Sequence, residues 1–302
     1  MMDKTFKSGF ITIIGRPNAG KSTFLNQILK QKIAIISDKP QTTRNKIQGI
    51  YNTTGAQMVF IDTPGVHKPK HKLGEVLNKI ALKALHEVDI TLFMISGNES
   101  LSTGNRYIME HLKNLKQPVF LIINKTDLMT KEDIFKSIDL YQKEFNFKEI
   151  IPISALNNNN VDYLLELIKK YLPNGPQYYP IDAVCDHPER FIIGELIREK
   201  VLFKTREEVP HSVAVVIDQI KKDENSHVID VLATIVVERP SQKGILIGKG
   251  GSMLKDIGTL ARKDIQNLLG SKVYLELWVK VIKDWRNRKH LLTEFGYKEN
   301  EY

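Results

Sequence analysis

The stretch FITIIGRPNAGKSTFLNQIL (10–29) decides the fold. Its apolar run FITII (10–14) reads as a buried strand, and Phe24, Leu25, Ile28 and Leu29 share one face of a helix. Between them GRPNAGKS (15–22) fits GxxxxGK[ST], in the strand–loop–helix setting that gives the pattern its meaning. Glycines let the backbone wrap a phosphate, and the loop N–H groups and helix N-terminus supply positive potential. Gly15, Arg16, Pro17, Asn18, Ala19 and Gly20 then line a nucleotide. Lys21 holds its β- and γ-phosphates, Ser22 ligates Mg²⁺ and Thr23 follows at the helix start.

Working outward, MVFI (58–61), ITLFMI (90–95), PVFLII (118–123) and EIIPI (149–153) are further buried strands. Helical spacing lies between them. One set is Val76, Leu77, Ile80, Ala81, Leu85 and Val88; another is Tyr107, Ile108, His111, Leu112 and Leu115; a third is Val161, Leu164, Leu165, Ile168 and Tyr171. The alternation predicts an α/β P-loop domain over 1–172, a mostly parallel sheet with helices on both faces. Asn157–Asn160 precede the last helix and are expected to help cap it. PNGPQYYP (173–180), proline-rich and uncharged, reads as a linker. From 181 to 302 the texture changes. Ile192, Ile193, Leu196, Ile197 and Val201 mark a helix; Val213, Val215 and Ile217, then Ile229 to Val237, alternate as strands. Met253, Ile257, Leu260, Ala261, Ile265 and Leu268 are helical, and Val273 to Val281 alternate again. The order predicts an α+β module, helix–strand–strand–helix–strand, with room for a second helix before the last strand.

Three more motifs sit at strand ends. In DTPG (62–65), Asp62 can hold Mg²⁺ through water and the Gly65 N–H can meet a γ-phosphate, with Thr63, Pro64 and Val66 beside them. In NKTD (124–127), Asp127 can accept both N1–H and the 2-amino group of guanine, whereas adenine would leave that carboxylate unpaired. Asn124 braces the loop, the Lys125 stem covers the base and Thr126 lies between. N–H groups of Ser154, Ala155 and Leu156 (SAL) reach guanine O6. These motifs, in this order, resemble the translation-factor-like GTPase superfamily. The resemblance implies GTP and GDP as ligands, Mg²⁺ as the metal and hydrolysis of GTP to GDP and phosphate. QTTR (41–44) stands where such proteins carry a mobile switch, so Thr42 or Thr43 would ligate Mg²⁺ and sense the γ-phosphate. The catalytic set is then Lys21, Thr42 or Thr43, Asp62 and Gly65.

Phosphoryl transfer needs positioning and charge neutralisation more than covalent help. Small Ras-like enzymes place a water-orienting Gln directly after DxxG. Val66 occupies that place and cannot orient water, so slow intrinsic turnover is expected. In the subgroup with PNxGKS, the Asn can help coordinate K⁺ in place of an arginine finger. That role is open to Asn18, beside the simpler one of stabilising the loop.

In the second module GKGG (248–251) lies between a strand and a helix. Such a turn lets a nucleic-acid backbone approach a helix N-terminus closely. Residues 239–289 hold 12 basic and 4 acidic residues. Element order, GKGG and this charge resemble a type II KH domain. The flanks ARKDIQNLLG (261–270) and LELWVKVIKDWR (275–286) are similar to the C-terminal domain of the Era family of ribosome-assembly GTPases, over nearly the full chain. Membership implies a cytoplasmic GTPase that binds the 3′ end of small-subunit (16S) ribosomal RNA and assists 30S maturation, with peripheral membrane association. It implies neither DNA nor another small-molecule substrate. Gly248, Lys249, Gly250 and Gly251 are the RNA-backbone candidates, joined by Arg239, Lys243, Lys255 and Arg262. Trp285 either stacks on a base or packs the C-terminal helix, with packing favoured. The alternative is a peripheral membrane signalling GTPase in which GKGG is only structural.

Composition narrows the field further. Lys and Arg number 44 against 35 Asp and Glu, a net charge of +9 that suits polyanionic partners. One cysteine, Cys185, excludes a disulfide framework and a cysteine-based metal site within one chain, and favours a reducing compartment. MMDKTFKSGF shows no signal-peptide apolar core, and no apolar run approaches a membrane span. His67 and His71 flank Pro69 in a lysine-rich stretch and read as a switch loop rather than metal ligands.

Overall fold

The computed structural model describes residues 6–39, 41–97, 99–222 and 228–297. They form two compact units. The first runs to Asp186 without residues 35–42 and 71–73; the second joins those two stretches to the chain from His187.

The first unit contains β1 (Lys7–Ile14), α1 (Lys21–Leu29), β2 (Ile47–Thr53), β3 (Ala56–Asp62), α2 (Lys72–Lys83), β4 (Ile90–Ser96), α3 (Thr103–Leu112), β5 (Val119–Asn124), α4 (Lys131–Gln142), β6 (Glu149–Pro152) and α5 (Val161–Tyr171). The sheet order is β2-β3-β1-β4-β5-β6, parallel except for β2, which runs antiparallel to β3. Every residue of β3, β4 and β5 is buried, because both sheet faces are covered. Phe93 stacks on Phe147 and meets Tyr141 of α4 on one face. On the other, Phe24 of α1 stands edge-on to Phe60 and Tyr171 of α5 edge-on to Phe120. Every apolar run read above lies in this sheet. The edge strand β2 escaped notice, since IQGIYNT breaks its apolar run with a glycine and polar residues. Helix α4 escaped for a different reason. Of its residues only Tyr141 is buried, and a Thr130–Asp133 capping box starts it instead of an apolar stripe.

Two details depart from expectation. Asn160 occupies the cap position of α5 in a left-handed conformation, yet its side chain makes no cap bond and donates to the Pro152 carbonyl. Residues 173–186 lie along the first unit. Asn174 bridges to Lys7 and Cys185 to Gly49, and the buried Gln57 side chain takes both N–H groups of Tyr178 and Tyr179 and donates to the Tyr179 carbonyl.

The second unit contains α6 (Glu189–Lys204), β7 (Ala214–Lys222), β8 (Val228–Val237), α7 (Pro240–Ile247), α8 (Ser252–Leu269), β9 (Lys272–Val281) and α9 (Lys289–Glu294). Its sheet is β7-β8-β9, with β7 antiparallel and β9 parallel to β8. Val231, Ala233, Ile235 and Val237 bury one face of β8, and Ile257, Ala261 and Ile265 bury the matching stripe of α8. A bulge after Ile217 ends the alternation of β7. Trp285 is fully buried; its Nε1 donates to the Ser212 carbonyl and its ring packs on Phe295 and Tyr297, so it is a core residue and not a base platform.

Candidate functional site

The loops after β1, β3, β5 and β6 carry the four motifs at the carboxyl ends of their strands. β1 lies between β3 and β4, so strand addition reverses direction there, which is where open α/β sheets bind ligands. Local chemistry shapes the first loop. Gly20 sits at φ +99°, and a Cβ on it would lie 2.0 Å from Asn124 Nδ2, so glycine alone fits. Asn18 adopts φ +64°, a conformation asparagine tolerates, and is exposed. Lys21 folds back over the loop and donates to the carbonyls of Gly15 (3.2 Å) and Arg16 (3.1 Å). Burial lowers its pKa, with Asp62 opposing.

Ser22, Thr43 and Asp62 meet beside Lys21. Ser22 Oγ donates to Asp62 Oδ2 at 2.6 Å and lies 2.9 Å from Thr43 Oγ1. Asp62 is fully buried and its Oδ1 has no hydrogen-bond partner among the described residues. Burial raises its pKa, while Lys21, Ser22 and Thr43 pull it back. A carboxylate with a spare buried oxygen and two hydroxyls forms an all-oxygen set suited to a hard cation such as Mg²⁺. The structure separates the two candidate threonines. Thr43 faces Ser22, whereas Thr42 Oγ1 donates to the Lys39 carbonyl at 2.6 Å.

Asn124 ties the remaining loops together. Its Nδ2 donates to the Ala19 carbonyl (2.9 Å) and its Oδ1 accepts from the Ala155 N–H (3.0 Å). The Thr126 N–H donates to the Ile153 carbonyl, and Lys125 takes φ +66°. Asp127 is exposed and its Oδ1 accepts from Ser154 Oγ at 2.5 Å, which fixes the carboxylate. Ala155 is buried, while the Leu156 side chain is 71% exposed. Other members of the predicted set play supporting parts. Thr63 Oγ1 donates to the Ile13 carbonyl, fastening β3 to β1 rather than facing the loop. Val66 is buried in the cluster with Phe93, Ile95, Ile108 and Met109, and its N–H donates to the Gly15 carbonyl. Arg16 pairs with Glu99 at 3.2 Å, a tether that no sequence pattern announces.

In the second unit GKGG joins α7 to α8. Gly248, Gly250 and Gly251 all have positive φ, and a Cβ on Gly250 or Gly251 would touch nothing within 4 Å, so the turn is open on its outer side. Lys249 is exposed at the tip. Arg239, Lys243, Lys255 and Arg262 are exposed; Lys255 and Arg262, seven apart on α8, share one helix face. Sequence reading passed over Tyr274 and Trp278, exposed on one face of β9. Among the described residues no helix is long and apolar enough to cross a membrane.

Comparison with known proteins supports both halves. Residues 10–125 match the family model described as 50S ribosome-binding GTPase, and residues 208–286 match that of the KH domain. A variant of Era from Aquifex aeolicus, solved with GDP and AlF4⁻, is 42% identical, covering 97% of this chain and 99% of that one, with a TM-score of 0.93. A structure of Era with MgGDPNP and nucleotides 1506–1542 of 16S ribosomal RNA shares the same 42% identity and coverage, with a TM-score of 0.94. Likeness at this level runs through both units and the element order of each: the chain belongs to the Era family of GTPases.

Proposed function

We propose that this chain is a GTP-hydrolysing switch whose second unit binds the 3′ end of small-subunit ribosomal RNA and assists 30S maturation. The observation that carries the reading is the Lys21–Ser22–Thr43–Asp62 cluster at the switch point of the sheet, in a chain that matches an RNA-bound Era over 97% of its length. We take the first unit, to Asp186, as the GTP-binding part and the chain from His187 as the RNA-binding part.

Ser22 and Thr43 would hold Mg²⁺ directly and Asp62 through water. Mg²⁺ held by these residues would supply charge neutralisation at the phosphates. Lys21 and the 15–20 amides bring further positive potential to the same phosphates. Asp127, held by Ser154, selects guanine, and Asn124 keeps the base loop and phosphate loop in register. Val66 faces the core, so no side chain at its position orders the attacking water, and turnover without a partner is slow. Asn18 stands at the loop edge, where K⁺ could be ligated; K⁺ dependence of turnover tests that role.

A ribosomal partner and the single cysteine support a cytoplasmic location. Peripheral attachment to the inner membrane rests on the family resemblance alone. The deciding experiment measures binding of a short 3′-terminal small-subunit rRNA fragment at one fixed salt concentration. Wild type should bind tightly, a scrambled RNA weakly, and a Lys249→Asp, Gly250→Asp variant should lose the difference. Equal, salt-sensitive binding in every case would leave only electrostatic attraction and defeat the RNA reading.

A further inference from the structure

Helices α6 and α8 cover one face of the β7-β8-β9 sheet. A Cβ on Gly194 of α6 would lie 3.6 Å from Ile217, and one on Gly258 of α8 would lie 3.4 Å from Leu277. Side chains alternate along a strand, so Tyr274, Glu276 and Trp278 point to the other face. There β8 brings Asp230, Leu232 and Thr234 into register with them, and β7 sets Val216 opposite Thr234. Thr234 Oγ1 donates to Asp218 Oδ2 at 2.8 Å, which puts the bulge residue of β7 on this face as well. Tyr274 and Trp278 are 58% and 59% exposed. Exposed tryptophan and tyrosine on one patch mark an interaction surface.

Two aromatic rings in this unit invite the reading of a base-stacking platform, and the charges around them argue against it. Platforms for single-stranded RNA combine their rings with a positively charged groove. Here Glu276 stands between the rings, with Asp218 and Asp230 on the neighbouring strands. The lysines of this face, Lys221, Lys272 and Lys280, stand at or next to strand ends. The rings are four residues apart on one strand, about 13 Å, too far for two stacked bases to use both. Trp278 Nε1 donates to Glu276 Oε1 at 2.8 Å, so indole and carboxylate are held side by side. A guanidinium is planar, lies flat on an indole and donates sideways to a carboxylate, whereas an ammonium offers only a point charge. Val216 and Leu232, both half-buried, give an apolar floor for arginine methylenes. On a chain of net charge +9, a basic partner needs a local group of carboxylates such as this one. We infer that this sheet face docks an arginine-bearing basic segment of a partner protein, with one arginine stacked on Trp278 and paired with Glu276. The surface is separate from the GKGG turn and does not depend on the RNA reading.

The test titrates the full chain, at one fixed salt concentration, with fluorescein-labelled tetra-arginine and tetra-lysine peptides of equal charge, read by anisotropy. Tetra-arginine should bind about 2–5-fold tighter, the worth of one exposed cation–π contact. Trp278→Ser and Glu276→Gln should each abolish that margin and leave GTP hydrolysis unchanged. Trp285 is fully buried, so acrylamide quenching of wild type reports Trp278, and tetra-arginine should shield it. Equal affinity for the two peptides, or a margin that survives Trp278→Ser, would overturn the inference. So would shielding of Trp278 by oligouridylate but not by tetra-arginine, which would make the face a base platform. Shielding that rises with protein concentration alone would make the occupant a second copy and would overturn it too. Each of these outcomes leaves the GTPase and GKGG readings intact.

Discussion

Replacing Asn124 with Ala should loosen the first unit before any nucleotide is considered. Asn124 is 2% exposed and spends both ends of its amide on backbone, the Ala19 carbonyl at 2.9 Å and the Ala155 N–H at 3.0 Å. Ala19 and Ala155 are themselves buried, so truncation strands an acceptor and a donor. Each stranded group costs about 1–3 kcal/mol, giving about 2–6 kcal/mol in total. That is a large share of the roughly 5–15 kcal/mol that holds a domain folded. For a unit of this size, about 3 kcal/mol lowers Tm by about 6–12 °C. The assay has a built-in control. Both tryptophans, Trp278 and Trp285, lie in the second unit, so their emission follows that unit alone. Nucleotide-free Asn124→Ala protein should show an earlier transition by far-UV circular dichroism and an unchanged tryptophan transition. Amide exchange at Ala155 should quicken most. A first-unit Tm within about 2 °C of wild type, with Ala155 still protected, would refute the argument that this one amide carries the joint between the loops.

Three further outcomes follow from the site and its surroundings. Val66→Gln should bury an amide among Phe93, Ile95, Ile108 and Met109, costing about 1–3 kcal/mol without faster hydrolysis; a tenfold gain in turnover would show that the side chain can reach the reacting water. Asp127→Asn should exchange two acceptors for one acceptor and a donor, so competition binding should shift from guanosine toward xanthosine diphosphate, whose 2-oxo group accepts; unchanged guanine preference would remove Asp127 from base selection. Tyr141, buried and accepting from Asn105 Nδ2 at 2.7 Å, has its phenol pKa pushed up to about 12, mainly by burial. The fold favours the protonated form, so this contribution is fully present below about pH 10 and is lost as pH rises through about 12. Denaturation midpoints should fall across that window in wild type and less steeply in Tyr141→Phe.

The α/β unit was readable because its strands are covered on both faces and so appear as unbroken apolar runs. The site was readable because its glycines, lysine and aspartates follow those runs directly. Choice between Thr42 and Thr43 was not readable, since both hydroxyls are one residue apart and only tertiary contacts send one to Ser22 and the other to Lys39. Arg198 left a trace that went unused. It stands with Glu195 inside the apolar helix pattern from Ile192 to Val201, and a charged pair at i,i+3 in that setting marks a buried partner. Trp285 packs as expected, with Phe295 and Tyr297 against its ring.

Residues 173–186 carry a lesson for anyone who would cut this protein in two. Sequence alone invites a break in the prolines, yet Gln57, fully buried, exchanges three hydrogen bonds with Tyr178 and Tyr179. A fragment ending at residue 172 would bare that amide and the flank of β2 where Cys185 and Val184 bond to the backbone, inviting strand-to-strand aggregation. One ending at 186 keeps the edge covered, and a protease working on the folded chain should leave the prolines untouched.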